Sequence, residues 1–436
     1  LKKKALLINP YIEDFTAYDL WLKPLGLYKL SYALKKNNFD VSFIDLLDMS
    51  HPSIPKKFSK KRENGTGKFY YEYIPKPEIL PNIGRRFKRY GIPISSFKEE
   101  LKKIKNPDAV FITSSIVYWY KGIITTINII KEILGDIPVV LGGIYPTLYY
   151  HHSKNTGADF VVKGNFEEAL PPVLEEIFGK KFVFDFEIYP DYSILKDKTS
   201  MAIQTSKGCP YSCSYCASKK IEPLFFQFPL EYNLKNFENL KNFKIKNIAF
   251  YDDALLYNKE NHIKKILKTL KEKNFNFIFH TPNGLDPNQI DEELAVLFKE
   301  TNFKTIRLSV DILNKKVKYE NLKEIMKNFF KAGYKEGEIE AYLLIGFLEE
   351  KFEEIKEALY DLFNLKIKSK FAYFSPIEGT KIWETLKEKG FVKDREDPIL
   401  SNKLLFPYRF KGIKPEELKE LKNIQNFLNQ KFIFKS

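Results

Sequence analysis

Short apolar runs alternate along the chain with stretches whose apolar residues recur every three or four positions. Residues 5–9 form an apolar run stopped by Pro10, the pattern of a buried strand. Pro24 then opens a helix that sets Leu27, Leu30 and Leu34 on one stripe. Further strands are predicted over 40–45, 108–113, 138–141 and 158–162, with helices over 123–134 and 166–178. Strands alternating with helices imply a parallel sheet covered on both faces. Five such strands suit a flavodoxin-like order, with ligands at the carboxyl ends of the strands. The segment 52–93 breaks the pattern; it is rich in Pro, Lys and aromatics and reads as an insertion that covers a site.

Residues 185–200 lose periodicity at Tyr189-Pro190-Asp191 and Lys196-Asp197-Lys198 and read as a linker. Alternation resumes with strands predicted over 201–205, 246–251, 275–281, 304–310, 338–345 and 369–374. Helices are expected over 259–273, 290–300, 318–332 and 352–365. Polar or glycine residues gather at the strand ends: Asp252 and Asp253, His280 to Gly284, Gly346, and Ser375. In the fourth strand Ile306, Leu308 and Val310 alternate with Arg307, Ser309 and Asp311, so one face is apolar and the other polar. In a barrel the polar set points inward. The chain thus divides into an α/β domain over 1–184, a linker, a six-stranded partial (β/α)6 barrel over 201–375 and a helical extension over 376–436, with helices at 381–389 and 415–432.

Composition narrows the class. The chain has 436 residues, 44% hydrophobic and 15% aromatic, enough for folded cores. No apolar run reaches membrane-spanning length, and the run after Lys2, Lys3 and Lys4 stops at Asn9, too early for a secretory leader; a cytoplasmic protein is expected. Net charge is +15, with basic residues crowded between Lys56 and Arg89. A solvated lysine-rich face accounts for them; an anionic partner is the sharper alternative, and nucleic acid is not indicated.

All three cysteines lie in Cys209-Pro210-Tyr211-Ser212-Cys213-Ser214-Tyr215-Cys216, directly after a predicted strand. Gly208 and Pro210 oppose a helical cysteine stripe. No second cysteine pair completes a zinc site, and an odd count at close spacing disfavours disulfides. Thiolates so spaced suit an iron–sulfur cluster. Three thiolates on a four-iron cubane leave one iron open.

The C-x-x-x-C-x-x-C loop, with Tyr215 before its last cysteine, resembles that of the radical SAM superfamily. The resemblance implies one [4Fe–4S] cluster on Cys209, Cys213 and Cys216, whose open iron chelates S-adenosylmethionine and reduces it to a 5′-deoxyadenosyl radical. It places contacts to that cofactor at Tyr215, Asp252, Asp253, Asn283, Ser309, Asp311 and Gly346. His280 reads as a satisfied core residue. The first domain resembles the cobalamin-binding domain of one large subfamily, at Asn9-Pro10, Pro24 to Leu27, Gly142 to Thr147 and Gly164 to Glu167. The implied cobalamin contacts are Asn9, Pro10, Ser114, Gly142 and Gly143. Asn165 departs from the usual glutamate there, and the D-x-H-x-x-G motif of cobalt-ligating histidines is absent.

These resemblances imply a radical enzyme acting on an unidentified substrate, with methyl transfer through cobalamin or, if the first domain is empty, rearrangement or cyclisation. A reducing electron donor such as flavodoxin or ferredoxin is implied. No catalytic residue beyond the cofactor contacts is assigned. The absence of further cysteines disfavours auxiliary clusters. A cluster-bearing scaffold without turnover is the reading from outside enzymology.

Overall fold

The computed structural model describes residues 2–81, 83–310, 319–410 and 412–432. Five parallel strands form the first sheet: β1 (Lys3–Asn9), β2 (Phe39–Asp45), β3 (Ala109–Ile112), β4 (Val139–Leu141) and β5 (Phe160–Val161). Their order is β2-β1-β3-β4-β5, the flavodoxin-like arrangement. The apolar run of β1 serves two cores. Leu6 and Ile8 pack with Val110, Ile112 and helix residues Ile123, Ile127 and Ile130 on one face. Ala5 and Leu7 pack with Phe111 and helix residues Leu27, Leu30, Leu34, Leu170 and Leu174 on the other. Strand alternation and helix spacing agree, so neither face of the sheet meets water.

Six parallel strands form the second sheet, in chain order: β6 (Ser200–Ile203), β7 (Asn247–Phe250), β8 (Ile278–His280), β9 (Phe303–Val310), β10 (Ile339–Ile345) and β11 (Lys368–Tyr373). Helices Leu230–Asn242, Ile263–Glu272, Glu292–Glu300, Tyr319–Lys331 and Phe352–Asn364 connect them. In β9, Ile306, Leu308 and Val310 join the helix-side core. Arg307 lies on the opposite face, where its guanidinium donates to Glu340 and to the Tyr342 hydroxyl, both at 2.8 Å.

The inner face of this open barrel is filled by Trp21, carried from the first domain and fully buried. Its ring stacks on His280 with centroids 4.5 Å apart, and the Arg307 guanidinium lies 5.5 Å from it. The indole N–H donates to the Asn64 carbonyl at 2.6 Å, and the Tyr251 hydroxyl donates to the Trp21 carbonyl. His280 also bonds Thr305 at 2.9 Å and Asn247 at 3.0 Å, so both ring nitrogens are satisfied and the ring is a core residue.

The insertion is a folded part of the first core. Strands Tyr71–Tyr73 and Lys88–Tyr90 pair antiparallel beside Ile12–Asp14. The Glu63 carbonyl accepts from Asn247 at 3.1 Å, at the amino end of β7, opposite the end that carries the cysteines. Several of its cations are engaged locally: Lys61 pairs with Asp19 and Asp197, and Arg89 with Glu72.

The carboxyl-terminal segment closes the exposed edge. Asn429, on helix Pro415–Gln430, accepts from the Ser369 amide of β11 at 3.1 Å and donates to its carbonyl at 2.8 Å. Edge strands left bare invite pairing with other chains. Among the described residues no helix is long and apolar enough to cross a membrane.

Candidate active site

The cysteine loop begins where β6 ends. Ser206–Lys207 pairs antiparallel with Phe226–Gln227, so residues 208–225 form a closed excursion from the barrel rim. Gly208 makes its first turn at φ +70°, and a Cβ there would stand 2.5 Å from the Leu224 carbonyl oxygen. Only glycine fits such a position without strain. The Cys216 amide donates to the Cys213 carbonyl at 3.1 Å, and the Ser218 hydroxyl lies 3.2 Å from the Cys216 sulfur. None of the three is in a disulfide; Cys209 and Cys213 are half-buried and Cys216 is exposed. Burial, and then the nearby Asp253 carboxylate and sibling thiols, push the Cys209 thiol up.

The three cysteines line a cavity of about 360 Å³ at the carboxyl ends of the strands, together with Tyr215, Asp252, Asp253, Asn283 and Ser309. Their roles differ. Asp253 and Ser309 are exposed to the cavity. Asp252 is buried, and its carboxylate accepts from the Thr205 amide at 2.9 Å, the Thr205 hydroxyl at 2.8 Å and the Ser206 hydroxyl at 2.6 Å. It anchors the root of the loop, chiefly through one of its two oxygens. Asn283 donates to the Tyr251 carbonyl at 3.1 Å, tying the β8 end to the β7 end. Tyr215 packs on Phe347 with centroids 5.7 Å apart.

Gly346 does not line this cavity; its amide donates to Glu350 at 2.6 Å beneath Phe406. Asp311 lies outside the described residues. The sequence reading missed Tyr342, which reaches the cavity from β10. The alternation of Glu340 and Tyr342 in that strand carries the signal.

A second cavity, of about 400 Å³, lies between the two domains. The first domain contributes Gly26, Lys29, Thr113, Gly142, Gly143, Thr147 and Asn165, and the second Gln204, Lys207, Ser218, Glu222 and Asp253. Gly143 turns at φ +99°, and a Cβ would press to 2.5 Å on the Ser114 carbonyl oxygen. Gly142 beside it presents bare backbone to the cavity.

Three of the expected cofactor contacts stand behind this surface. Ser114 donates to the Gly142 carbonyl at 2.9 Å and accepts from the Tyr145 amide at 3.0 Å, so it shapes the turn. Asn9 is turned to Asp45 at 2.7 Å, and Pro10 is buried. Short polar side chains at chain turns readily bond their own backbone. Asn165 donates to Glu222 at 3.0 Å, binding one domain to the other. Ser218 and Asp253 line both cavities and form their common wall.

An open parallel barrel with three cysteines on the loop after its first strand, facing a cavity at the strand carboxyl ends, defines a cluster-binding α/β protein. Residues 203–359, most of its barrel, match the radical SAM superfamily. An uncharacterised methyltransferase of Synechocystis is 27% identical over 288 residues, covering 59% of this chain and 52% of its own length. The anaerobic magnesium-protoporphyrin IX monomethyl ester cyclase of Synechocystis is 25% identical over 124 residues, 21% of this chain and 25% of the cyclase. The chain thus spans about half the length of the first of these relatives and a quarter of the second. An uncharacterised methyltransferase of Pyrococcus horikoshii is 23% identical over 342 residues, covering 66% and 72%. Among solved structures, the radical S-adenosylmethionine methyltransferase TsrM of Kitasatospora setae superposes with a TM-score of 0.65 at 16% identity. That alignment covers 89% of this chain and 76% of TsrM. The fold is therefore shared across both domains.

The loop fits the superfamily's cluster. Among the described residues no three His, Cys, Asp or Glu side chains converge on a single ion. A cubane does not require that, because each thiolate ligates a different iron and the sulfurs need only surround the cluster. Three cysteines outside any disulfide, on one loop that lines an open cavity, supply such ligands.

Proposed function

We propose that the chain is a radical S-adenosylmethionine enzyme that also uses cobalamin, acting as a methyltransferase on an unidentified substrate. The observation that carries this reading is the wall shared by the two cavities. Ser218 and Asp253 separate the cysteine cavity from the cavity between the domains, so molecules held in the two would sit side by side. The relatives named as methyltransferases support it, as does the TsrM structure that holds cobalamin and a [4Fe–4S] cluster.

Cys209, Cys213 and Cys216 would hold the cluster, and the Gly142-Gly143 turn would meet a flat ring with bare backbone. Together the cofactors supply reductive cleavage of S-adenosylmethionine and methyl transfer. The chain's own residues position and shield. Asp253 offers a carboxylate to an ammonium, Ser309 a hydroxyl to a ribose, and burial raises the Asp253 carboxyl above its ordinary range despite the Ser218 hydroxyl. Reduced flavodoxin or ferredoxin would supply electrons, and a reducing cytoplasm would keep the thiols free.

The test is anaerobic reconstitution with iron, sulfide and reductant. 5′-Deoxyadenosine and S-adenosylhomocysteine are then assayed with and without hydroxocobalamin, with Cys213→Ala as control. Products from the wild type alone support the radical reading, and dependence on hydroxocobalamin supports the methyltransferase. Failure of the three-cysteine loop to take up iron sinks both.

A further inference from the structure

Lys29 lies on the first turns of helix Leu25–Lys36 and is only 6% exposed. It lines the cavity between the domains and also an adjoining cavity of about 320 Å³ walled by Phe184, Phe186, Phe226 and Phe228. The two cavities share Lys29, Glu167 and Lys207, so Lys29 stands at their junction.

A lysine this buried ordinarily pairs with a carboxylate. Here the neighbouring carboxylates are engaged elsewhere. Glu167 accepts from Lys207 at 2.6 Å, Glu222 from Asn165 at 3.0 Å, and Asp252 from Thr205 and Ser206. Among the described residues the Lys29 ammonium makes neither an ion pair nor a hydrogen bond; it lies 5.5 Å from the Phe228 ring. Burial lowers its pKa to about 8, which still leaves it protonated at neutral pH. Lys29 is thus a cation at the junction of two cavities whose ammonium has no direct anionic partner, with Glu167, Asp252 and Glu222 acting on it only at a distance.

We propose that the Lys29 ammonium binds an oxyanion, a phosphate or carboxylate, of the molecule that occupies the cavity between the domains. A lysine is a point charge suited to phosphate without the fork geometry that arginine demands. Two sources share this chemistry: the phosphodiester in the nucleotide tail of a corrinoid, and an oxyanion on the substrate. Only the corrinoid arm of the test rests on the function proposed above.

The experiment uses the full chain as wild type, Lys29→Met and Lys29→Arg, each checked for folding by circular dichroism. Hydroxocobalamin and cobinamide, which lacks the tail phosphate, are titrated by visible absorption. Inorganic phosphate is titrated by NMR of ¹³C-dimethylated lysines, with Lys29 assigned as the resonance missing from Lys29→Arg. If the tail is the source, the wild type prefers hydroxocobalamin by about tenfold or more. Lys29→Met then abolishes the preference and Lys29→Arg keeps most of it. The preference also fades above pH about 8, where Lys29 loses its proton among Lys207, Glu167, Asp252 and Glu222. If the substrate is the source, corrinoid affinity ignores the substitution while phosphate moves the Lys29 resonance. Unchanged corrinoid affinities together with an unmoved resonance overturn the proposal. No corrinoid binding by the wild type sinks the cobalamin part of the function and leaves the phosphate arm to decide Lys29.

Discussion

The carboxylate of Asp252 accepts the Ser206 hydroxyl at 2.6 Å, which fastens the end of β7 to the root of the cysteine loop. Next to it in sequence, Asp253 faces the cavity. Two adjacent carboxylates therefore do different work, and substitution should separate them. Asp252→Ala strands the Thr205 and Ser206 donors in a buried site and should cost about 3 kcal/mol of stability, with iron uptake falling in step. Asp253→Ala should change stability by about 0.5 kcal/mol or less. It should instead weaken S-adenosylmethionine binding by about tenfold, through loss of a charged hydrogen bond. Urea unfolding and equilibrium dialysis distinguish the two patterns.

Gly208 is the second support of the loop. Its positive φ and the Leu224 carbonyl 2.5 Å from a would-be Cβ leave no room for a side chain. Gly208→Ala should shift the loop and lower iron bound per chain after reconstitution, while the far-ultraviolet circular dichroism of both sheets persists. Wild-type iron content in that variant would show that the loop adapts and that the turn is not what places the thiols.

Trp21 joins the domains through the barrel interior. It holds a left-handed φ of 64°, a backbone cost of about 1–3 kcal/mol that its burial outweighs. Trp21→Ala should cost about 3–5 kcal/mol, because it removes the ring stacked on His280 and leaves a void beside Arg307. Chemical unfolding followed by circular dichroism measures the loss. A change below about 1 kcal/mol would mean that the interior collapses onto the space.

The fold was legible because short apolar runs and amphipathic helices alternate, as in β1 and helix Leu25–Lys36. The cysteine loop was legible because three thiols in one octapeptide leave few alternatives. Contacts across the chain were not. Nothing near Trp21 in sequence points to His280, 259 positions away, and nothing in a leucine-rich helix marks Lys29 as the residue facing a cavity. Asn9 and Ser114 show a related limit: a polar side chain at a strand end bonds within its own fold or meets a ligand, and sequence does not say which. The short strands of the insertion fell below any periodicity signal.

Acidification should destabilise the fold through two histidines. Burial lowers both His262 and His280 from 6.5 to about 4. Between those values the unfolded chain binds a proton at each site that the folded chain refuses, so stability falls as pH drops from 6.5 to 4. Each site contributes about 3 kcal/mol across the window at most. Buried carboxylates such as Asp14, Asp45 and Asp252 are pushed up by desolvation and oppose this trend, because the folded state takes up their protons first. The readout is therefore the difference between wild type and a single variant. His280→Gln should be less stable than wild type at pH 7, through the loss of its bonds to Thr305 and Asn247. That deficit should shrink as pH falls towards 4, because the variant has no proton to refuse. Urea unfolding at half-unit intervals measures it. A deficit constant with pH would mean that His280 titrates normally, which its burial against Trp21 argues against.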